Sequence, residues 1–371
     1  MNSGSIQTAA MPMRLDALTG IRGIAAWIVV FFHVRFSFLL LFPNDVITSL
    51  GKGYLAVDLF FVLSGFVLWF NYGEKLRSGG MPQIRSFLWR RFARVWPLHG
   101  FMMLLFIGLA GLLVIRGTPN VRYPFAELPL HILLIQNWGF TDYLRWNDPA
   151  WSISAEFAAY LLFPLIVFAL PWERLSAPAL ILVGLLICAA LALAFQTVGA
   201  EKLGDDVPRF GLWRCLGEFP LGIVACLLWR KWQGTRHSAL LAMLVCLGLI
   251  TVTILTGMAD YYAVPAALTA GILALALDRG VVSRVLSSRP AVYLGEISYS
   301  TYLSHLLLFI LFKMAFVGPD LQSGWAGFTG YVVALVLVSA ALYHWVEKPA
   351  QRWLIRYPPG RAKAQRLVPA E

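Results

Sequence analysis

Charge is what this chain has least of. Only 13% of its 371 residues are Asp, Glu, Lys or Arg, and the 19 acidic groups leave a formal net charge of +11. Hydrophobic residues make up 59% and mean hydropathy is +0.71. That composition excludes a water-soluble domain and indicates a polytopic membrane protein. In such a chain a positive balance reflects Lys- and Arg-rich loops on one side of the bilayer, and no nucleic-acid partner is expected. Cysteine is scarce too. Cys188, Cys215, Cys226 and Cys246 fall in apolar segments without ligand spacing, so they read as small buried hydrophobes, with no disulfide and no metal expected. A cleavable signal pattern is missing, and the first apolar run is too long for a signal h-region, so it reads as a retained span. No repeat of fixed period and no low-complexity tract stands out. The tail after Pro349 is 22 residues, too short for a soluble catalytic domain, which confines any chemistry to the membrane body and its rims.

What the chain does have is apolar runs of spanning length, near 21–42, 53–72, 96–115, 150–170, 177–197, 210–229, 238–257, 260–277, 290–313 and 326–346. A shorter run, Leu128 to Trp138, reads as a re-entrant or interfacial segment between Pro124 and Asp148–Pro149. The predicted fold is therefore an all-α transmembrane bundle of about ten spans plus that segment. It divides into an N-terminal segment 1–20, a transmembrane domain 21–349 and a basic tail 350–371. Of the 30 Lys and Arg residues, 20 fall on the side of both termini and seven on the other, while Arg22, Arg35 and Arg214 lie within spans. The positive-inside rule then puts both termini in the cytoplasm of a multi-pass protein of the inner membrane.

Two ionisable residues in the first run carry the most information. Arg22 and His33 stand eleven positions apart, about three helical turns, so they share one face roughly 16 Å apart along the axis. An ionisable group inside a span costs about 2.5–3.5 kcal/mol on insertion scales and usually faces a cavity. Histidine is the side chain suited to moving a proton near neutral pH. A purely structural pair, bonded to neighbouring helices, is the alternative reading of the same spacing.

Depth along the spans brings further residues together. His33, Glu156, Glu218 and His305 fall in one layer, which predicts a polar chamber. Trp151, Ser152, Ser298 and Tyr302 join it, because Ser152 and Glu156 share a face, as do Ser298, Tyr302 and His305. Arg35 and Asp58 lie at similar depth on adjacent spans and read as a structural salt bridge, while Arg214 and Glu218, four apart, read as a pair along one helix. At the opposite rim, SFLWRRFARVWP sets Arg90 and Arg94 on one face with Arg91 beside them. Such a cluster serves as a topology or lipid signal, or as a phosphate-binding patch facing Arg22. Glu347 ends the last span at that rim and is placed to orient one of these arginines.

These segments together resemble the acyltransferase 3 family of integral membrane O-acyltransferases along nearly the whole chain. The matching pieces, in order, are LDALTGIRGIAAWIVVFFH, GYLAVDLFFVLSGFVLW, RRFARVWPLH, WSISAEFAAYLLFP, LGEISYSTYLSHLLLF and HWVEKPAQRW. The resemblance implies an acyl-CoA donor on the cytoplasmic side, with acetyl the expected group, and no bound cofactor. It implies an acceptor hydroxyl at or near the outer side, on an extracytoplasmic or lipid-linked glycan. It makes Arg22 and His33 the essential pair and gives Arg90, Arg91, Arg94 and Glu347 importance at the donor rim; in the mechanism expected from this, Glu156 orients the imidazole or the acceptor. The first motif reads LTGIRG where the family more often has LDGLRG-like residues, a departure that keeps the Arg–His spacing. Many relatives carry an extra span and an esterase-like outer domain; this chain has neither, so it is expected to act alone or with separate glycan-assembly partners. A proton-coupled transporter or flippase would also place His and Glu at mid-membrane, and a non-catalytic glycan-assembly protein would need the fold but not His33.

The charge asymmetry makes a prediction of its own. Cysteine labelling in intact cells should find residues 73–95 and the tail after Pro349 protected in the cytoplasm, with 198–209 accessible outside. An externally labelled 73–95 segment would reverse the orientation.

Overall fold

The structure is a computed structural model that describes residues 15–117, 121–316 and 323–358. Most of the expected segments 1–20 and 350–371, including Arg361, Lys363 and Arg366, lie outside the described residues. Of the described residues 82% are helical, and none lies in a strand. In order the helices are α1 (Asp16–Val34), α2 (Asn44–Leu50), α3 (Ala56–Ile115), α4 (Leu128–Ile132), α5 (Trp151–Ala169), α6 (Ala177–Thr197), α7 (Val207–Trp232), α8 (Ser238–Thr256), α9 (Val264–Leu277), α10 (Val281–Leu286), α11 (Arg289–Glu296), α12 (Ser298–Phe316), α13 (Trp325–Leu342) and α14 (Lys348–Arg356). A π-helical turn, Tyr343–Glu347, joins the last two. Eight helical stretches among the described residues are long and apolar enough to cross a membrane.

The longest, α3, has 60 residues and would extend about 90 Å if straight, three times the hydrocarbon thickness. It turns back on itself instead. Gly80 sits at φ 57° and ψ −152°, a conformation open to glycine and costly for other residues, and Pro82 follows. The reversal is visible in contacts: Arg91 donates to the Tyr72 hydroxyl at 3.2 Å, and the Tyr72 and Phe87 rings lie 5.1 Å apart. Residues 72 and 91 would be about 28 Å apart on a straight helix. With both arms of α3 and the shorter, 14-residue α9, each of the ten expected segments is occupied by helix.

Two segments differ from expectation. The run 290–313 is divided at Ile297 into a short α11 and the spanning α12, so Ser298 opens a helix and does not lie within one. The break is set by close packing: a Cβ on Gly295 would meet the Thr19 carbonyl oxygen at 1.9 Å, and one on Gly23 would meet Leu294 and Gly295 within 2.9 Å. Here α11 lies against the Arg22 end of α1. The segment Leu128–Trp138 contains only the five-residue α4 followed by turns. Its backbone is satisfied by side chains, as non-helical chain buried in a membrane protein must be. His99 donates to the His131 carbonyl at 2.8 Å, Trp96 to Ile132 at 3.1 Å and Ser154 to Leu134 at 2.9 Å.

The core crossing is between α3 and α7. A Cβ on Gly65 would stand 1.8 Å from the Phe219 carbonyl oxygen, and one on Gly222 would stand 1.8 Å from that of Val62. Small residues allow this backbone approach, which helix association in lipid favours. The crossing fixes the azimuth of both helices, and so selects which polar groups meet two turns away.

Candidate active site

A cavity of about 140 Å³ runs into the bundle from the arginine rim. Arg22 of α1, Arg91 and Arg94 of α3, Ser152, Glu156 and Tyr160 of α5, and Ser298, Tyr299 and Tyr302 of α12 line it. Arg94 is held by Glu347, which also accepts from Ser300 at 2.7 Å. Glu347 reaches this position from the π-helical turn, a local insertion common at functional sites. The Arg94 guanidinium lies 5.3 Å from the Tyr299 ring, and Tyr299 donates to the Val95 carbonyl at 2.6 Å. Arg90 is exposed, its Nε 3.5 Å from the Ser86 hydroxyl, and does not line the cavity. The rim is thus Arg22, Arg91 and Arg94, with Arg90 outside it.

At the head of the cavity the Ser152 and Tyr302 hydroxyls are 2.7 Å apart. Each also lies within hydrogen-bond distance of the Pro149 carbonyl oxygen, at 3.2 and 2.9 Å, so the two hydroxyl protons serve two of these three contacts. Behind Tyr302 stand two histidines: its ring lies 6.0 Å from that of His305, which is 4.9 Å from that of His33. The hydrogen bonds fix their tautomers. A carbonyl only accepts, so the 2.9 Å contact to Val29 puts the proton on Nδ1 of His33, and the 2.6 Å contact to Tyr302 puts the proton on Nδ1 of His305. Nε2 of His305 is then an acceptor, 3.3 Å from the same Nδ1 of His33. This leaves Nε2 of His33 with its lone pair, on a partly exposed side chain, as a base requires.

The predicted chamber is therefore divided. His33 and His305 meet; Glu156, Ser152, Ser298 and Tyr302 line the cavity; Glu218 belongs to a third, buried group. Depth located all of them in one layer but could not assign them to a side of a helix. The expected Arg35–Asp58 bridge is absent. Arg35 folds back to the Phe32 carbonyl, with its guanidinium 4.4 Å from the Phe32 ring and 4.1 Å from that of Phe36. Asp58 is taken by Arg214 in a two-pronged ion pair, both residues almost wholly buried. Arg214 also donates to the Tyr54 carbonyl at 2.9 Å and lies 5.5 Å from the Trp151 ring. The reading of Arg214 and Glu218 as an i,i+4 pair fails for the same reason, since Glu218 sits beside Asp58.

Sequence reasoning missed Tyr160, Tyr299 and Ser64 in the cavity wall, and Ser300 beneath Glu347. Tyr160 had a signal, being four residues from Glu156 on the same face. The others had none, because hydroxyl residues within spans are common and their azimuth was unknown.

With this geometry in place, comparison with known proteins is decisive. The acyltransferase-3 family, described as an acyltransferase domain, matches residues 15–344. The chain belongs to that family. It is similar to acyltransferase MdmB of Streptomyces mycarofaciens, 31% identical over 380 residues and 94% of each chain. It is also similar to O-acetyltransferase OatA of Staphylococcus aureus (strain NCTC 8325 / PS 47), 23% identical over 370 residues, which are 92% of this chain and 58% of that longer one. A shorter match, 42% over 109 residues, covers 29% of this chain and 52% of protein 2 in picA locus of Rhizobium radiobacter. No solved structure matches. This member of the family is a multi-pass membrane O-acyltransferase.

The buried ion pair predicts a definite mutational pattern. Arg214→Met alone should lower stability by about 3–5 kcal/mol by leaving Asp58 uncompensated, and the double variant Arg214→Met/Asp58→Leu should recover most of it. Arg35→Gln should change little. Thermal unfolding in detergent checks all three.

Proposed function

We propose that this enzyme transfers a small acyl group, acetyl, from cytoplasmic acyl-CoA to a hydroxyl of an extracytoplasmic or lipid-linked glycan. The observation that carries this reading is the cavity itself, three arginines at its mouth and a histidine pair just past its head. Arginine forks bind phosphate oxygens by charge-assisted bonds, so the CoA phosphates belong at Arg22, Arg91 and Arg94, and the pantetheine arm threads toward Tyr302. In the orientation given by the charge asymmetry, that mouth faces the cytoplasm. The name of the Staphylococcus aureus relative, an O-acetyltransferase, supports acetyl as the group moved.

The chemistry then follows from His33. Its Nε2 takes the proton of the acceptor hydroxyl as the oxygen attacks the thioester carbonyl carbon. The tetrahedral intermediate collapses with cleavage of the carbon–sulfur bond, and the imidazolium returns the proton to the leaving thiolate. His305 acts on orientation, by sharing the Nδ1 proton of His33 with Val29. Glu156 stands within electrostatic reach of Arg22 and sets the field at the thioester end. Tyr302 separates cavity from imidazole, so its side chain swings aside for the thioester to pass.

Purified protein in lipid nanodiscs with labelled acetyl-CoA tests the reading, with mass spectrometry of surface glycans from cells with and without the gene identifying the product. Arg22→Gln and Arg91→Gln should each raise the half-saturating donor concentration roughly tenfold, an effect that shrinks as salt screens the wild-type contacts. Arg90→Gln, outside the cavity, should stay within about twofold of wild type. Equal donor affinity in all three would make the cluster a topology signal.

A further inference from the structure

Helices α6 to α9 leave a gap in the wall of the bundle. Helix α6 packs on α7 and α8 packs on α9, whereas α6 and α8 stand apart. Between them lies a groove of about 490 Å³. Its floor is Leu221, Val224 and Leu228 of α7, and its walls include Leu185 of α6, Val245 of α8 and Leu273 of α9. Of the eight candidate spans α8 is the least covered by protein, with 6% of its apolar window buried. An apolar groove of this size beside lipid is filled by lipid chain, because an empty one would forfeit the dispersion contacts of its lining.

The groove has one polar end. On α7 its lining runs from Leu221 to Trp232, eleven positions or roughly 16 Å along the axis. That is about half the thickness of the hydrocarbon, the depth of a single leaflet. Beyond Trp232 the lining continues as Thr235, Arg236 and Ser238, on the side that the charge asymmetry makes cytoplasmic. Ser238 is committed to the Thr235 carbonyl at 3.0 Å, and Thr269, deeper in the groove, to the Pro265 carbonyl at 2.7 Å. Arg236 is exposed and enters no ion pair or hydrogen bond among the described residues. Carboxylates at this rim are engaged elsewhere. Glu74 and Glu173 lie 2.6 and 3.7 Å from Arg230, and Asp278 accepts from the Gly280 and Ser283 amides. A guanidinium therefore stands where a headgroup falls when its chain lies in the groove.

We infer that the groove between α6 and α8 binds an anionic phospholipid of the cytoplasmic leaflet, with one acyl chain along α7 and the phosphate at Arg236. The chain fills space, and bulk lipid would do that equally well; the headgroup decides which lipid stays. Arginine meets phosphate through charge-assisted hydrogen bonds, and a headgroup without an amine of its own leaves that attraction uncancelled. The inference stands apart from the acyl-transfer reading and uses none of its residues.

Native mass spectrometry of the full chain in mild detergent tests it, with phosphatidylglycerol titrated against phosphatidylethanolamine of the same acyl chains. Wild type should bind its first phosphatidylglycerol about fivefold more tightly, the preference expected from one interfacial arginine. Arg236→Gln should erase that preference. Gly184→Leu fills the groove: a Cβ there would lie 3.6 Å from Val224, an ordinary contact that needs no backbone movement, and leucine is the better helix former. It should weaken binding of the first phosphatidylglycerol about tenfold. Arg236→Gln, at an exposed position, decides the matter alone if Gly184→Leu fails to fold. No preference in wild type, or a preference that survives Arg236→Gln, means annular lipid only and overturns the site. So does tighter binding of a polyprenyl phosphate than of phosphatidylglycerol, or unchanged binding in folded Gly184→Leu.

Discussion

Arg94 and Glu347 are 253 positions apart in the chain, yet their ion pair at the mouth of the cavity holds three elements in register. An arginine in a membrane body needs a carboxylate, or the cost of its charge drives it to the surface. Here the second arm of α3 supplies the arginine, the π-helical turn after α13 supplies the carboxylate, and Ser300 of α12 bonds the remaining oxygen. Arg214 and Asp58 do the same between α7 and the start of α3. Arg22 is different. It enters no salt bridge among the described residues and is partly open to the cavity.

The pair Arg22 and His33 was legible because helical periodicity is a strong constraint within one segment. The rim arginines were legible as a cluster, and Glu347 by its depth. What sequence could not supply was azimuth between helices. Asp58 had two arginines within reach in depth, and depth alone favoured Arg35. The close crossing at Gly65 and Gly222 turns Asp58 toward α7, and Arg214 takes it. The same missing coordinate merged His33, Glu156 and Glu218 into one chamber, although the structure separates them into a histidine pair, a cavity wall and a buried acidic site. Gly295 hid a helix break inside an apparently continuous apolar run, because the constraint there is contact with α1 and not local propensity.

The division of the polar groups suits an enzyme that must keep two substrates apart until they react. Arginine charge is gathered at the mouth of the cavity, and the free nitrogen of His33 lies past its head, behind Tyr302. Tyr302 stands at the junction of cavity and histidines: its hydroxyl lies within hydrogen-bond distance of Ser152 and Pro149, its carbonyl fixes the His305 tautomer, and its ring lines the cavity.

The account turns on the lone pair of His33, and the most direct measurement is labelled acetyl transfer by His33→Gln in nanodiscs, with CoA affinity measured on the same preparation. Glutamine fits the site and hydrogen-bonds, but it takes up no proton near neutral pH. A base at this position predicts transfer reduced by about 10²–10⁴ with CoA affinity retained. Transfer within a few-fold of wild type would contradict it and return His33 to a positioning role.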